Sequence, residues 1–309
     1  MIEMGEKKVK KKAYGLLGCK ISYSLSPVMH NAAFRHFGAE ADYSLFDIEL
    51  PDVRGFMDRL TSGFFSGINV TVPYKVTVKD IMLENPGNRL DEFASRLGAV
   101  NTVRRRGKYL EGFNTDGPGF AESLRDDLKL VPEKLAGKKV LLLGSGGAGR
   151  AVSFYLLGSN FKPALVSVYD TDSAKAEDLV SSLASVYGKD RVKRLRGDEE
   201  TSAEAKESAL VVNATPLGTK DGDQMPLPGG YPGGSACLYD LVYARETELV
   251  RSWREAGSIA SGGLGMLVNQ AALAFEIWTD GEYRLDDIKS VMRASLPDEM
   301  RRRYGWNTF

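Results

Sequence analysis

The chain has 309 residues, 41 basic and 41 acidic side chains and a formal net charge of zero. That length suits about two domains, and the balanced charge gives no overall field to recruit nucleic acid or an anionic membrane. No apolar run reaches the roughly 18 residues of a membrane span, and the two cysteines, Cys19 and Cys237, stand outside any CxxC spacing, which argues against a disulfide framework or a zinc site.

The lysine-rich stretch Met1 to Lys12 has no apolar segment of signal-peptide type behind it and reads as a solvated leader. Ala13 to Gly18 and Tyr43 to Ile48 read as short strands, with a helix from Pro27 to Phe37 between them. Pro27 suits a first helical turn and Ser26 an N-cap. Ser24, two residues earlier in an extended segment, points the same way, so the two hydroxyls could instead hold a carboxylate. His30 and His36 read as polar positions on this helix rather than metal ligands. Val53 to Leu60 reads as a helix and Gly67 to Val72 as a strand. Alternation puts Asn69 and Thr71 on one face of that strand and Val70 and Val72 on the other. Pro73 ends it, so Lys75 opens a turn or helix at its C-terminal end. A lysine there is either a solvated charge or, in a cleft, a group that steadies a developing alkoxide or transfers a proton. Leu90 to Leu97 reads as helical, and Ala99 to Arg104 with Tyr109 to Gly112 as a hairpin around Arg106-Gly107. Asn101-Thr102 and Asn114-Thr115-Asp116-Gly117 add amides and a carboxylate, although Asp116 also precedes an expected helix, Phe120 to Leu128, and suits its cap. This alternation predicts a small α/β domain with its own sheet.

The apolar run Lys139 to Leu143 then breaks into Gly144-Ser145-Gly146-Gly147-Ala148-Gly149, followed by a helix-forming run. Strand, glycine turn and helix form the dinucleotide-binding fingerprint. Gly144 would permit the tight turn, Gly146 the approach of a pyrophosphate, and Gly149 close packing of helix on strand. The helix N-terminus would present free N–H groups to the phosphates. The next strand, Ala164 to Tyr169, ends at Asp170, about 20 residues past the last glycine, where a carboxylate meets an adenosine ribose 2′-hydroxyl. Val192 to Leu195, Leu210 to Asn213 and Cys237 to Asp240 read as further strands. Asp221 to Gly234, rich in glycine and proline, reads as a loop. Met266 to Trp278 and Leu285 to Ala294 read as helices that return to the first domain, and Arg301 to Trp306 as a surface-docked terminus. The expected architecture is a two-domain α/β protein. Residues 13–118, completed by 267–309, form an N-terminal α/β substrate domain, and residues 119–266 a Rossmann-type doubly wound nucleotide-binding domain.

Seven motifs in order carry a family resemblance. They are Ser24-Leu25-Ser26-Pro27 with His30-Asn31, Asn69-Val70-Thr71-Val72-Pro73-Tyr74-Lys75, Gly98 to Thr102, Gly112 to Gly117, Gly144 to Gly149, Asn213 to Gly218, and Gly263 to Ala272. The chain resembles the shikimate dehydrogenases, including the quinate/shikimate branch. The resemblance implies reversible reduction of 3-dehydroshikimate to shikimate by a nicotinamide cofactor. It implies that Ser24 and Ser26 bind the substrate carboxylate with Tyr243 nearby. Asn69, Thr71, Asn101, Asp116 and Gln270 would meet the ring hydroxyls, and Lys75 and Asp116 would be the catalytic pair. Asn213-Ala214-Thr215 would lie by the cofactor ribose, and Gly263 and Met266 by the nicotinamide.

Many members use NADP and carry Asn-Arg-Thr after the second nucleotide-domain strand, the arginine gripping the 2′-phosphate. Here the run is Tyr169-Asp170-Thr171-Asp172-Ser173. A carboxylate repels a 2′-phosphate and accepts a hydrogen bond from a 2′-hydroxyl, so NAD is expected over NADP, with Lys175 placed to fold back and partly restore NADP. Quinate-preferring relatives often carry Thr at the second hydroxyl of the Ser-x-Ser motif, so Ser26 favours shikimate over quinate. A cytoplasmic, metal-free monomer or homodimer is expected, with no nucleic-acid or membrane partner. Two other readings share the pattern. A methylenetetrahydrofolate dehydrogenase-like enzyme fits the serines and the Asn-Thr-Asp-Gly run less well, and a non-enzymatic nicotinamide-binding regulator would not need Lys75 and Asp116.

Overall fold

A computed structural model describes residues 11–227 and 229–306. The chain divides into two units. The first comprises residues 1–115 and 271–309, the second residues 116–270.

The first unit holds strands β1 (Lys12–Gly18), β2 (Ala41–Asp47), β3 (Gly67–Val70), β4 (Arg89–Leu90), β5 (Thr102–Arg106) and β6 (Tyr109–Phe113) in the order β2-β1-β3-β5-β6-β4. β1 runs parallel to β2 and β3, and β5 turns antiparallel between β3 and β6. Helices α1 (Ser26–His36), α2 (Val53–Thr61), α3 (Lys75–Leu83) and α4 (Glu92–Leu97) follow the strands in sequence. α1 presents one buried stripe to the core: Ser26, Met29, His30, Ala33 and Phe34 are its buried positions, at helical spacing. One core packs α2 and α3 on the sheet through Phe56, Met57, Leu60, Val78 and Met82.

The second unit opens with α5 (Asp116–Leu128) and a short α6 (Pro132–Leu135). Its strands are β7 (Lys139–Leu143), β8 (Leu165–Tyr169), β9 (Val192–Arg194), β10 (Leu210–Asn213), β11 (Cys237–Asp240) and β12 (Ala260–Ser261). They are all parallel, in the order β12-β11-β10-β7-β8-β9. Strands buried on both faces should read as unbroken apolar runs, and Val140 to Leu143 and Leu210 to Val212 do. Helices α7 (Gly147–Gly158), α8 (Ser173–Tyr187), α9 (Asp198–Glu207) and α10 (Glu248–Glu255) connect them. The order reverses between β7 and β10, the switch point where such sheets take ligands beyond the strands' carboxyl ends. α11 (Leu264–Trp278) crosses from the second unit's residues into the first's, and α12 (Leu285–Ala294) and α13 (Asp298–Arg303) close the chain.

Several expected elements shift. The strand expected to reach Val72 stops at Val70, because Pro73 has no N–H to extend the ladder. The predicted alternation fails with it: Val70 is 2% exposed and Val72 71%. Leu90 belongs to β4, and the helix begins at Glu92 behind the Asp91 side chain, which accepts from Ala94 N–H (2.8 Å). The helix expected at Phe120 begins four residues earlier, at Asp116. Ser26 is the first residue of α1 rather than its cap; Leu25 holds that place, and no side chain bonds to it as a cap. Lys12 opens β1, and the first ten residues of the expected leader lie outside the described residues. At the other end, Arg301 to Arg303 belong to α13, and the Arg293 guanidinium covers the Trp306 ring.

Candidate active site

In the first unit the predicted polar residues gather where β1 and β3 end and β5 begins. Ser24 Oγ lies 3.1 Å from Ser26 Oγ, and Ser26 N–H donates to Ser24 Oγ (3.3 Å), so the two hydroxyls share one place. Thr71 N–H donates to Leu17 O, fixing Thr71 just past β3. Lys75 opens α3, half-buried, and its carbonyl accepts from Val100 N–H (3.0 Å), tying it to the Asn101 segment.

Asn69 and Asn101 are both buried, and backbone groups fix which way each amide faces. The Asn101 carbonyl can only accept, so it takes the Asn69 NH₂ (3.2 Å), which also reaches Thr102 Oγ1 (3.0 Å). Thr115 N–H can only donate, so it takes the Asn101 side-chain oxygen (2.8 Å). Tyr43 Oη donates to Asn69 Oδ1 (2.8 Å) from a fully buried ring. Asn69 Oδ1 thus serves as an acceptor, while the Asn101 amide is engaged within the protein, its oxygen with Thr115 N–H and its NH₂ with Thr115 Oγ1 (3.0 Å). A ring hydroxyl, which both donates and accepts, suits the Asn69 oxygen.

His30 stacks on Tyr43 with centroids 4.3 Å apart, and Trp278 and Phe275 complete the cluster. Neither ring nitrogen of His30 has a hydrogen-bond partner, and burial pushes its pKa down to about 3, so it is a neutral ring in an aromatic core. This corrects the expected polar helix position. Burial also pushes the Tyr43 hydroxyl up, keeping it a donor.

In the second unit the glycine turn behaves as the fingerprint requires. Gly144 has φ +95°, and a Cβ there would meet Ala214 C and Thr215 N at 2.8 Å. A Cβ on Gly149 would lie 2.2 Å from Gly144 O, so close packing of α7 on β7 demands glycine. Gly146 and Gly147 differ: a Cβ on either meets nothing. Folding does not require glycine there, whereas a phosphate approaching the backbone would. No side chain caps α7, which suits its first N–H groups to an anion. The residues present thus fit a dinucleotide.

Asp170 follows β8. Its Oδ2 accepts from Ser145 N–H (2.8 Å) and Ser145 Oγ (2.6 Å), and its Oδ1 from Asp172 N–H (2.8 Å). Partial burial works to raise its pKa, but the Ser145 and Asp172 donors outweigh this and hold the carboxyl below its usual value. Lys175 does not reach back to it; its ammonium pairs with Asp172 (3.1 Å).

Asn213 is fully buried. Its NH₂ donates to Asp240 Oδ1 (2.9 Å), and its Oδ1 accepts from Thr215 N–H (3.0 Å) and Oγ1 (2.7 Å). Its side chain shapes the Ala214-Thr215 turn, the segment expected to lie by the cofactor ribose. Behind it lies a group the sequence reading missed. Asp240 is buried, accepts from Asn213, Val242 N–H (3.0 Å) and Thr247 Oγ1 (2.5 Å), and is pushed up by burial to about 6. Thr247 in turn caps α10. The missed signal was the pairing of a strand-end acid with Thr247-Glu248, a capping sequence.

Asp116, the other half of the expected catalytic pair, is buried at the start of α5. Tyr243 is half-buried beyond β11, and Gln270 Nε2 donates back to Leu267 O (2.8 Å). A Cβ on Gly263 would lie 2.2 Å from Leu241 O, and Met266 N–H donates to Tyr239 Oη (3.1 Å), fixing the start of α11. Among the described residues no helix is long and apolar enough to cross a membrane.

Residues 16–103 match the shikimate dehydrogenase substrate-binding domain, and residues 263–282 the shikimate 5′-dehydrogenase C-terminal domain. The shikimate dehydrogenase (NADP+) of Methanopyrus kandleri is 38% identical over 292 residues, covering 93% of this chain and 95% of that one. The Thermus thermophilus shikimate 5-dehydrogenase, solved with NADP(H) and shikimate, is 31% identical with a TM-score of 0.77, over 92% of this chain and 100% of its own. The Listeria monocytogenes shikimate 5-dehydrogenase, solved with shikimate and NAD, is 29% identical with a TM-score of 0.80, over 91% and 96%. The chain belongs to the shikimate dehydrogenase family, an oxidoreductase family using a nicotinamide cofactor.

Proposed function

We propose that this member of the shikimate dehydrogenase family interconverts 3-dehydroshikimate and shikimate and takes NAD in preference to NADP. The observation that carries the substrate half is the buried Asn69 amide, turned by Tyr43 and the Asn101 carbonyl so that its oxygen accepts, together with the paired Ser24–Ser26 hydroxyls. The serines would hold the carboxylate with Tyr243, and Thr71 and Gln270 the remaining hydroxyls. The cofactor, when bound at the Gly144–Gly149 turn, supplies or accepts the hydride. Lys75 would hold its ammonium against the ketone oxygen as negative charge grows there and give it the proton, with Asp116 positioning the ammonium.

Support for NAD comes from Asp170, a carboxylate kept ionised where a ribose 2′-hydroxyl is expected. The names of the relatives favour NADP as the second reading. Initial rates with shikimate and quinate, each against NAD and NADP, decide both halves. Shikimate with NAD fastest supports the full reading. Shikimate with NADP fastest keeps the reaction and removes the Asp170 argument, and quinate fastest removes the Ser26 argument. Lys75→Ala is expected to lower kcat by about 100-fold or more with a smaller change in KM; near-normal turnover would remove Lys75 from the chemistry.

A further inference from the structure

We propose that Ser145 and Asp172 set the choice between the two dinucleotides, by fixing the Asp170 carboxylate and sequestering the Lys175 ammonium. The inference rests on the reading that the glycine turn binds the adenosine half of the cofactor beside Asp170.

A strand-end carboxylate discriminates against a 2′-phosphate only if it stays put. A carboxylate free to rotate turns its charge away and lets the phosphate in. Here three donors pin it. Both donors of Ser145, N–H and Oγ–H, converge on Oδ2, and Asp172 N–H holds Oδ1. Charge-assisted bonds of this kind are the strong ones. Oδ1 accepts a single bond from these donors and keeps a lone pair for a ribose hydroxyl.

The second part concerns the cation. Lys175, in the first turn of α8, is mostly exposed and within reach of the same strand end, where it would neutralise an incoming phosphate. Asp172 prevents this in two ways. Its Oδ1 caps α8 by accepting from Ala174 and Lys175 N–H (3.1 and 3.2 Å), and its Oδ2 takes the Lys175 ammonium (3.1 Å). Two carboxylates and one paired ammonium leave the strand end net negative. Ser145 thus acts against the phosphate by keeping an anion in place, and Asp172 by occupying the cation that would offset it.

The test measures dissociation constants of NAD and NADP, by calorimetry on the full chain, for the wild type, Ser145→Ala, Ser145→Thr and Asp172→Ala. Thermal melts without dinucleotide report whether each variant folds. The wild type is expected to bind NAD more tightly. Ser145→Ala should narrow the NADP/NAD ratio about tenfold, the size of one hydrogen bond to a charged group. Ser145→Thr, which keeps the hydroxyl, should hold the wild-type ratio, and Asp172→Ala should tighten NADP by freeing Lys175. If Ser145→Ala weakens both dinucleotides equally, Ser145 only shapes the loop and the inference fails while the NAD reading stands. A wild type that binds NADP more tightly overturns both, and is seen before any variant is made.

Discussion

His30 in the first unit and Asp240 in the second are both removed from water, and the protein treats them in opposite ways. His30 sits among aromatic rings with neither nitrogen partnered, and burial keeps it neutral. Asp240 sits among donors, three of which reach it, and still burial raises it to about 6. Hydrogen bonds alone do not determine the charge state of a buried group; here desolvation wins in both units. The first unit uses its buried ring as packing beneath Tyr43, which orients the Asn69 amide. The second uses its buried acid as a clasp joining the Asn213 turn to the cap of α10.

The comparison makes a pH prediction with opposite signs. His30 has an unfolded value of 6.5 and a folded value of about 3, so its contribution is intact above 6.5 and is lost as pH falls from there toward 3. Asp240 has an unfolded value of 3.8 and a folded value of about 6, so its contribution is intact below 3.8 and is lost as pH rises through 6. Between about pH 4 and 6 the two slopes cancel if the units unfold together. Replacing either group exposes the other. In His30→Leu, melting temperature should rise as pH falls from 6 to 4, unmasking Asp240. The removed acid sensitivity amounts to as much as roughly 5 kcal/mol. In Asp240→Asn the slope should reverse, with stability falling as pH drops below 6.5, and the variant should gain up to about 3 kcal/mol over wild type at pH 8. Unchanged melting profiles in both variants would refute the contrast.

The glycines sharpen the same comparison between folding and binding within one turn. Gly149→Ala pushes a Cβ into a backbone carbonyl and should cost about 1–3 kcal/mol of stability, as overpacking does. Gly146→Ala meets no protein atom and should leave the melting temperature nearly unchanged while weakening dinucleotide binding. Equal effects of the two on stability would contradict the division of labour. The smallest effect is expected from Tyr43→Phe, which removes one donor from Asn69 Oδ1. Stability should fall by about 1 kcal/mol and KM for shikimate should rise severalfold with little change in kcat.

The dinucleotide turn was legible because its chemistry is local: a few consecutive residues carry the strand end, the φ > 0 turn and the helix start. The Ser24–Ser26 pair was legible for the same reason. His30 was misread because its polar type was weighed above its position. It lies on the same stripe as Met29, Ala33 and Phe34, and helical spacing alone would have placed it inside. Thr102 and Thr115 lay in the motifs and Tyr43 at the start of an expected strand, yet their part in orienting Asn69 and Asn101 depends on how β2, β3, β5 and the segment before α5 come together. Asp240 and Asn213 stand 27 residues apart and meet only because β10 and β11 pair in register. Such cross-strand meetings leave no mark on the linear pattern.

The first unit is built from two separate stretches of chain, with the whole second unit between them. Protein synthesis therefore delivers its parts out of order. The rings of Phe275 and Trp278, which close over His30 and Tyr14, leave the ribosome only after residue 270. At about 5–20 residues per second the interval is of order ten seconds. Only by its end does the second unit have all its strands in hand, and until then the sheet of the first waits with its aromatic face open. The first unit is thus the part of the nascent chain that stays unfinished longest, its aromatic cluster closing only once α11 emerges.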